Sequence, residues 1–151
     1  MSNTRKVYDL SKQNQMADNR RMLIADSKKE YDVSFVPALV NRKYYKRWIE
    51  LQTEVMTGYT DFIAIQKKLQ SATPITDEET AKMREFITIT EEASDVGSDI
   101  VTVTIKANGY EFEEDDLLTN FSEAGIAKSI DFIMGIEDNT ATKKKPKTKN
   151  S

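Results

Sequence analysis

The fold of this chain is decided at Asn108-Gly109-Tyr110-Glu111-Phe112-Glu113-Glu114-Asp115-Asp116-Leu117-Leu118. Asn-Gly is a strong stop-and-turn signal, because both residues tolerate a positive φ at little steric cost. Beyond it, Phe112 offers an apolar anchor, and the acidic pair that follows suits a helix N-terminus, where the dipole favours negative charge. We interpret the stretch as the corner that folds two halves of a small domain together, with Gly109 as a helix C-terminal cap. The residues assigned to this structural corner are Gly109, Phe112, Asp115, Asp116 and Leu117.

The composition predicts one small domain without a catalytic centre. The chain has 151 residues, of which 31% are charged and 38% hydrophobic, and its net charge is −3. It contains no cysteine and no histidine, so it lacks thiolates and the side chain most used for proton transfer near neutral pH. Carboxylate chemistry would need paired acids in a pocket, whereas the acids here have the pattern of a helix surface. We therefore expect no enzyme activity, no cofactor and no metal site.

The distribution of apolar residues divides the chain into three parts. Residues 1–20 are polar and predict a flexible arm, and residues 21–137 contain the apolar clusters of a single helical domain. From Asn139 onward the chain carries five lysines and no acid, so residues 138–151 have the composition of a disordered basic tail. No secretory h-region and no apolar run near ~20 residues is visible. We therefore expect a cytoplasmic protein that does not associate with a membrane.

The first half of the domain predicts a β-hairpin followed by two helices. Residues 22–36 contain two apolar runs, and the second alternates, with Tyr31, Val33 and Phe35 on one face. After Pro37, apolar residues recur at spacings of three and four to about residue 56, which predicts a helix. Gly58 is expected to break it, so that a second helix begins with Thr60 as its cap. Four basic residues lie beside the apolar stripe of the first helix: Arg42, Lys43, Lys46 and Arg47. They could form a solvated face, pair with acidic helices elsewhere in the fold or contact nucleic acid.

The second half predicts a long acidic helix, the corner and a last helix. Thr76 and Glu79 match a capping box, and residues 77–99 carry eight acids against two bases. Residues 100–105 are β-branched and alternate, so pattern rules alone favour a strand and a hairpin at Asn108-Gly109. Helix propensity is a weak prior that packing overrides, at well under ~1 kcal/mol per residue. Ser122 can cap the last helix. The expected fold is therefore mainly α, with four to five helices and an N-terminal β-hairpin.

The order of these features resembles the tail assembly chaperones of long, non-contractile-tailed bacteriophages. The resemblance rests on Phe35-Val36-Pro37-Ala38 leading into the Trp48-Ile49-Glu50-Leu51-Gln52 helix, on the acidic helix after Thr76 and on the Gly-aromatic-acidic-Leu corner. It covers roughly two thirds of the chain, and each motif by itself is short. Relatives are helical across the run before the corner. This favours a helix over a strand at residues 100–105, although the β-branched residues there depart from the family pattern.

The resemblance implies a chaperone that acts in the host cell cytoplasm and is absent from the finished virion. Such proteins bind the tape-measure protein, keep it soluble and help to recruit tail-tube subunits, and we expect this chain to form a homo-oligomer. A helical binder can lay an apolar groove along the stripe of a helical client. The candidate partner-binding residues are the aromatic side chains that the core can spare: Tyr44, Tyr45, Trp48, Tyr59, Phe62 and Phe121.

Two other functions stay open from the sequence. A structural phage component, such as a head–tail connector or tail completion protein, would share the small size and the lack of cysteine, and would remain in purified particles. A nucleic-acid-associated protein would use the basic helix and the tail. The net negative charge opposes that function, because the acidic helix would be repelled by phosphates.

Overall fold

The computed structural model describes residues 8–10 and 20–136. Within those residues a two-stranded antiparallel sheet is followed by four α-helices. The prediction of a mainly α fold with an N-terminal β-hairpin is therefore confirmed. The predicted basic tail lies outside the described residues, and so does most of the predicted polar arm.

The β-hairpin consists of β1 (Met22–Ile24) and β2 (Glu30–Asp32), with Leu23 paired opposite Tyr31. Both of those side chains are buried, because the hairpin lays one face against the helices. A two-stranded sheet is marginal in water without such support. The hairpin is therefore part of the core and depends on it.

The second strand is shorter than the sequence predicted. The Val33 amide still donates to the Arg21 carbonyl at 2.9 Å, but the next amide, that of Ser34, donates to Asp32 Oδ1 at 2.8 Å. Val33 is fully buried, as the alternation predicts. The prediction that Phe35 shares this covered face with Tyr31 and Val33 is wrong, because Phe35 is 47% exposed.

Helix α1 (Tyr45–Gln70) is continuous, so the predicted break at Gly58 and the new helix capped by Thr60 are wrong. A π-helical turn at Val40–Tyr44 leads directly into α1. At the start of this turn the Val40 amide donates a hydrogen bond to the Pro37 carbonyl at 3.0 Å. A glycine inside a helix costs only about 1 kcal/mol relative to alanine. The packing of α1 along its neighbour outweighs that cost.

Helix α2 (Asp77–Ala107) has 31 residues and includes the β-branched run. Its start is the predicted capping box: the Glu79 amide donates to Thr76 Oγ1 at 3.0 Å, and the Thr76 amide donates to Glu79 Oε1 at 2.9 Å. The run at 100–105 is helical as predicted. Four of its side chains are fully buried, and their burial exceeds the small propensity penalty; they are Ile100, Val101, Thr104 and Ile105.

The corner has the predicted geometry. Asn108 is the C-cap of α2, and Gly109 follows with φ +98°, a left-handed conformation that favours glycine. The Asn108 side chain also holds the backbone of Phe35, donating to its carbonyl at 2.8 Å and accepting from its amide at 3.0 Å. Phe112 is 1% exposed and packs edge-to-face on Tyr31, with ring centroids 5.2 Å apart. The corner therefore fastens the long helix to the β-hairpin.

Two short helices complete the domain. Helix α3 (Glu114–Asn120) begins where the Glu113 amide donates to Asp116 Oδ2 at 2.8 Å, and it buries Leu117. Helix α4 (Glu123–Ile133) is capped as predicted, with Ser122 Oγ accepting from the Gly125 amide at 2.9 Å. Its apolar face packs against α2. Its buried isoleucines recur at spacings of four and three, as one face of a helix requires: Ile126, Ile130 and Ile133.

The buried residues collect at one end of the molecule. This end, which we call the base, contains the β-hairpin, α3, α4, the first seven residues of α1 and the second half of α2. The remainder is the distal helix pair, residues 52–92, in which Ile65 is the one buried residue. Nineteen helical residues of α1 in this pair span about 28 Å. The distal helix pair thus extends from the base as an open two-helix structure.

Candidate functional site

The candidate site is a groove between α1 and α2 in the distal helix pair. Its volume is about 360 Å³ and it is open to solvent. Its floor is apolar and comes from both helices: Gly58 and Phe62 from α1, and Phe86 and Ile89 from α2. A groove of this kind can accept apolar side chains of a partner.

The depth of the groove follows from a small residue opposite a stacked aromatic pair. The rings of Phe62 and Phe86 are stacked at 24°, with centroids 4.5 Å apart. A Cβ at Gly58 would lie 3.0 Å from Cδ1 of Phe86. Because Gly58 lacks that atom, the Phe86 ring lies against the backbone of α1.

Charged residues line the edges of the groove. Three are acids, Glu54, Asp61 and Glu85, and one is a base, Lys82. Lys82 Nζ lies 3.7 Å from Asp61 Oδ2 on the facing helix, and Glu54 lies 3.4 Å from a guanidinium nitrogen of Arg47. Glu85 makes no ion pair within residues 20–136. The edges therefore carry net negative charge, and Glu85 is available to a partner.

Other apolar side chains of the distal helix pair are exposed outside the groove. Met56 is 77% exposed and Tyr59 54%, and neither lines the groove. Leu69 and Ile87 are 50% and 43% exposed. Such side chains add apolar area that a protein partner could cover.

The predicted basic patch belongs in part to the fold. The Arg47 guanidinium donates two hydrogen bonds to the Glu92 carboxylate, both at 2.9 Å, and a third to Glu50 at 3.1 Å. The Arg47 guanidinium holds the pKa of the Glu92 carboxyl below its ordinary value. Arg47 thus joins α1 to the acidic helix α2 at the junction of the base and the distal helix pair. This agrees with the interpretation of the basic patch as the complement of an acidic helix.

The six predicted partner-binding residues do not form one surface. Phe121 is buried among Tyr31 and Phe112, so its assignment to a binding surface is corrected to the core. Tyr44, Tyr45 and Trp48 pack against the core while remaining partly exposed. Phe62 lines the groove, and Tyr59 is exposed outside it.

Trp48 has a structural role at the junction of base and distal helix pair. A Cβ at Gly97 would lie 2.8 Å from Cζ3 of Trp48 and 3.2 Å from Cδ1 of Ile130. Glycine therefore lets the indole ring pack on the backbone of α2. The role of Gly97 therefore follows from this contact within α2.

Sequence reasoning missed the groove because it divided α1 at Gly58. The pairing of the Phe62 and Phe86 rings across the two helices was not predicted. Two helices joined by the short connection 71–76 must run antiparallel as neighbours. The available sequence signal for the groove was one phenylalanine in each helix, Phe62 and Phe86, with Gly58 one turn before Phe62.

Among the described residues, no group of three or more His, Cys, Asp or Glu side chains could hold a metal ion. The helices of residues 20–136 include none with the length and apolar character that a membrane span requires. Comparison with protein-family models, curated proteins and solved structures finds no match to this chain.

Proposed function

We propose that this chain is a phage tail assembly chaperone that binds the tape-measure protein through the distal helix pair. The observation that carries the proposal is the asymmetry of burial. The base contains nearly all of the described core, while residues 52–92 bury Ile65 alone and leave Met56 and Tyr59 more than half exposed.

The physical reason is that the distal helix pair contributes little apolar burial of its own. Two helices without a third layer leave part of each apolar face in contact with water. A tape measure is a long helical client with apolar stripes, and such a stripe buries its own surface when it lies in the groove. The base keeps the binding structure folded when no client is present.

The remaining parts of the proposed role follow the same logic. The chaperone would hold the tape measure soluble, help to recruit tail-tube subunits around it and leave before the virion is complete. Self-association is part of the proposal, because several copies along one long client would cover its whole stripe.

Co-expression tests the proposal directly. The tape-measure protein encoded by the same phage is produced with the full chain and, separately, with an unrelated acidic helical protein of similar size. We expect the tape measure to become soluble with the full chain alone. Equal solubility in both cases would overturn the proposal.

Mass spectrometry of purified particles separates the chaperone from a structural component. A chaperone is expected to be absent from finished virions, although it is abundant in the infected cell. Its presence at a fixed copy number in the particle would contradict the proposed role and favour a connector or a tail completion protein.

A further inference from the structure

We infer that the groove of the distal helix pair binds an amphipathic helix whose apolar stripe is flanked by Lys or Arg. This rests on the proposed function and specifies which segments of a client the groove would select. The inference combines the shape of the groove with the charge at its edges.

The shape of the groove suits a helix. Its floor is formed by two residues from each of two antiparallel helices, so the groove follows the seam between them. A third helix laid along such a seam completes a three-helix arrangement and places residues at i, i+3, i+4 and i+7 against the floor. The volume of about 360 Å³ and the open upper side suit the side chains of one helix face better than an enclosed small molecule.

The charge of the groove selects the partner. Three carboxylates and one ammonium line its edges. Lys82 is already near Asp61, and Glu54 already near Arg47, so Glu85 is the carboxylate that a cationic side chain can reach without displacing an ion pair of the described chain. The rest of α2 adds to this field, since residues 77–99 carry eight acids against two bases. Complementary charge of this kind raises the association rate and excludes like-charged partners.

The same charges disfavour two other occupants. A nucleic acid would bring phosphates to an acidic edge. A second copy of this chain that docked its α2 in the groove would place one acidic helix against another.

The test measures the binding of two fluorescent peptides to the full chain by anisotropy at low salt. Both peptides have the same leucine stripe over about 16 residues, and one has lysines and the other glutamates at the flanking positions. We expect the lysine peptide to bind at least about tenfold more tightly. Equal binding of the two peptides would overturn the inference.

Matched variants locate the binding. Glu85→Arg should reduce the preference for the lysine peptide to less than about threefold, and Glu91→Arg, the same change at an exposed position of α2 outside the groove, should leave the preference intact.

Thr57→Trp should fill the groove and weaken the binding of the lysine peptide by about tenfold, while Thr88→Trp, at an exposed position outside the groove, should not weaken it. Equal effects of the paired variants would place the peptide elsewhere. Loss of peptide binding at chain concentrations at which the chain self-associates would assign the groove to a second copy and overturn the inference.

The outcomes for the groove and for the proposed function are distinguishable. If the wild-type chain and Glu85→Arg keep the tape measure equally soluble and the peptides do not discriminate, the inference fails and the function stands. If the lysine peptide binds selectively but the tape measure stays insoluble, the function fails and the inference stands.

Discussion

The base and the distal helix pair share the two long helices, yet they differ in how much of each helix other elements cover. In the base, α1 and α2 are covered by α4, α3 and the β-hairpin, and the rings of Tyr31, Phe112 and Phe121 lie within 5.2–6.5 Å of one another. In the distal helix pair the same helices have one neighbour each, and the Phe62–Phe86 stack forms a groove floor that solvent reaches.

The difference shows how one pair of helices can serve two purposes. The parts of α1 and α2 that extend beyond the core bury little apolar surface. Their helical structure is therefore stabilised by capping groups at the helix ends and by the contact between the two helices. The capping box at Thr76 and the ion pair from Lys68 to Glu79, at 2.6 Å, lie at the far end for this reason. The buried core is therefore concentrated in the base, and the groove that we propose as a binding site lies in the distal helix pair.

The largest expected effect comes from truncating one aromatic ring in each region. Phe112→Ala should lower the free energy of unfolding by about 3–5 kcal/mol, because the ring is fully buried. Phe86→Ala should cost less than about half of that, since the Phe86 ring is partly exposed on the groove floor. Urea denaturation monitored by the fluorescence of Trp48, the single tryptophan, measures both. Equal losses would show that the two regions are equally stabilising.

A second pair of variants adds one methyl group at a glycine of α2 in the base and at a glycine of α1 in the distal helix pair. Gly97→Ala should destabilise the chain by about 1–3 kcal/mol, because the new Cβ would lie 2.8 Å from the rigid Trp48 ring. Gly58→Ala should stay within about 1 kcal/mol of wild type, because the gain in helix propensity offsets the displacement of Phe86 into an open groove. Thermal unfolding of both variants is the measurement, and the reverse order of stabilities would contradict the packing described here.

A smaller effect is expected at the far end of the distal helix pair. Thr76→Ala removes the hydroxyl that accepts from the Glu79 amide and should cost about 1 kcal/mol, whereas Thr76→Ser retains the acceptor. Amide hydrogen exchange should show faster exchange in the first turns of α2 and unchanged exchange in α4. Faster exchange throughout the base would mean that the two regions unfold as one unit.

The smallest effect is a local dependence on pH. The hydrogen bond from Lys68 lowers the pKa of the Glu79 carboxyl below its ordinary value of 4.5. Because the folded-state pKa is depressed, the stabilising contribution is fully present above pH 4.5 and is lost as the pH falls through the folded-state value. An NMR titration of the Glu79 carboxyl should show a lowered midpoint that moves back toward 4.5 in Lys68→Met. An unchanged midpoint in that variant would remove Lys68 as the cause.

The exposure of the predicted partner-binding residues was less predictable from the sequence than the fold. Phe121 and Tyr59 are both aromatic residues in helical surroundings, but Phe121 is 7% exposed and Tyr59 54%. Nothing local to either residue distinguishes them, because exposure depends on whether another element covers the position. Phe62, a predicted partner-binding residue, lines the groove, and its floor partner Phe86 is 24 residues away in the sequence.

The sequence by itself determined where helices begin and end when the responsible groups are near in the chain. Thr76 with Glu79, Ser122 with the Gly125 amide, and Gly109 with its positive φ all act within a few residues, so their effects follow from local chemistry. Tertiary packing, by contrast, was needed to show that α1 continues through Gly58. It also determined which part of each long helix is left uncovered. At those positions the local preferences differ by about 1 kcal/mol or less per residue. Burial against a neighbouring helix is worth more than that, and its extent is set by residues far away in the sequence.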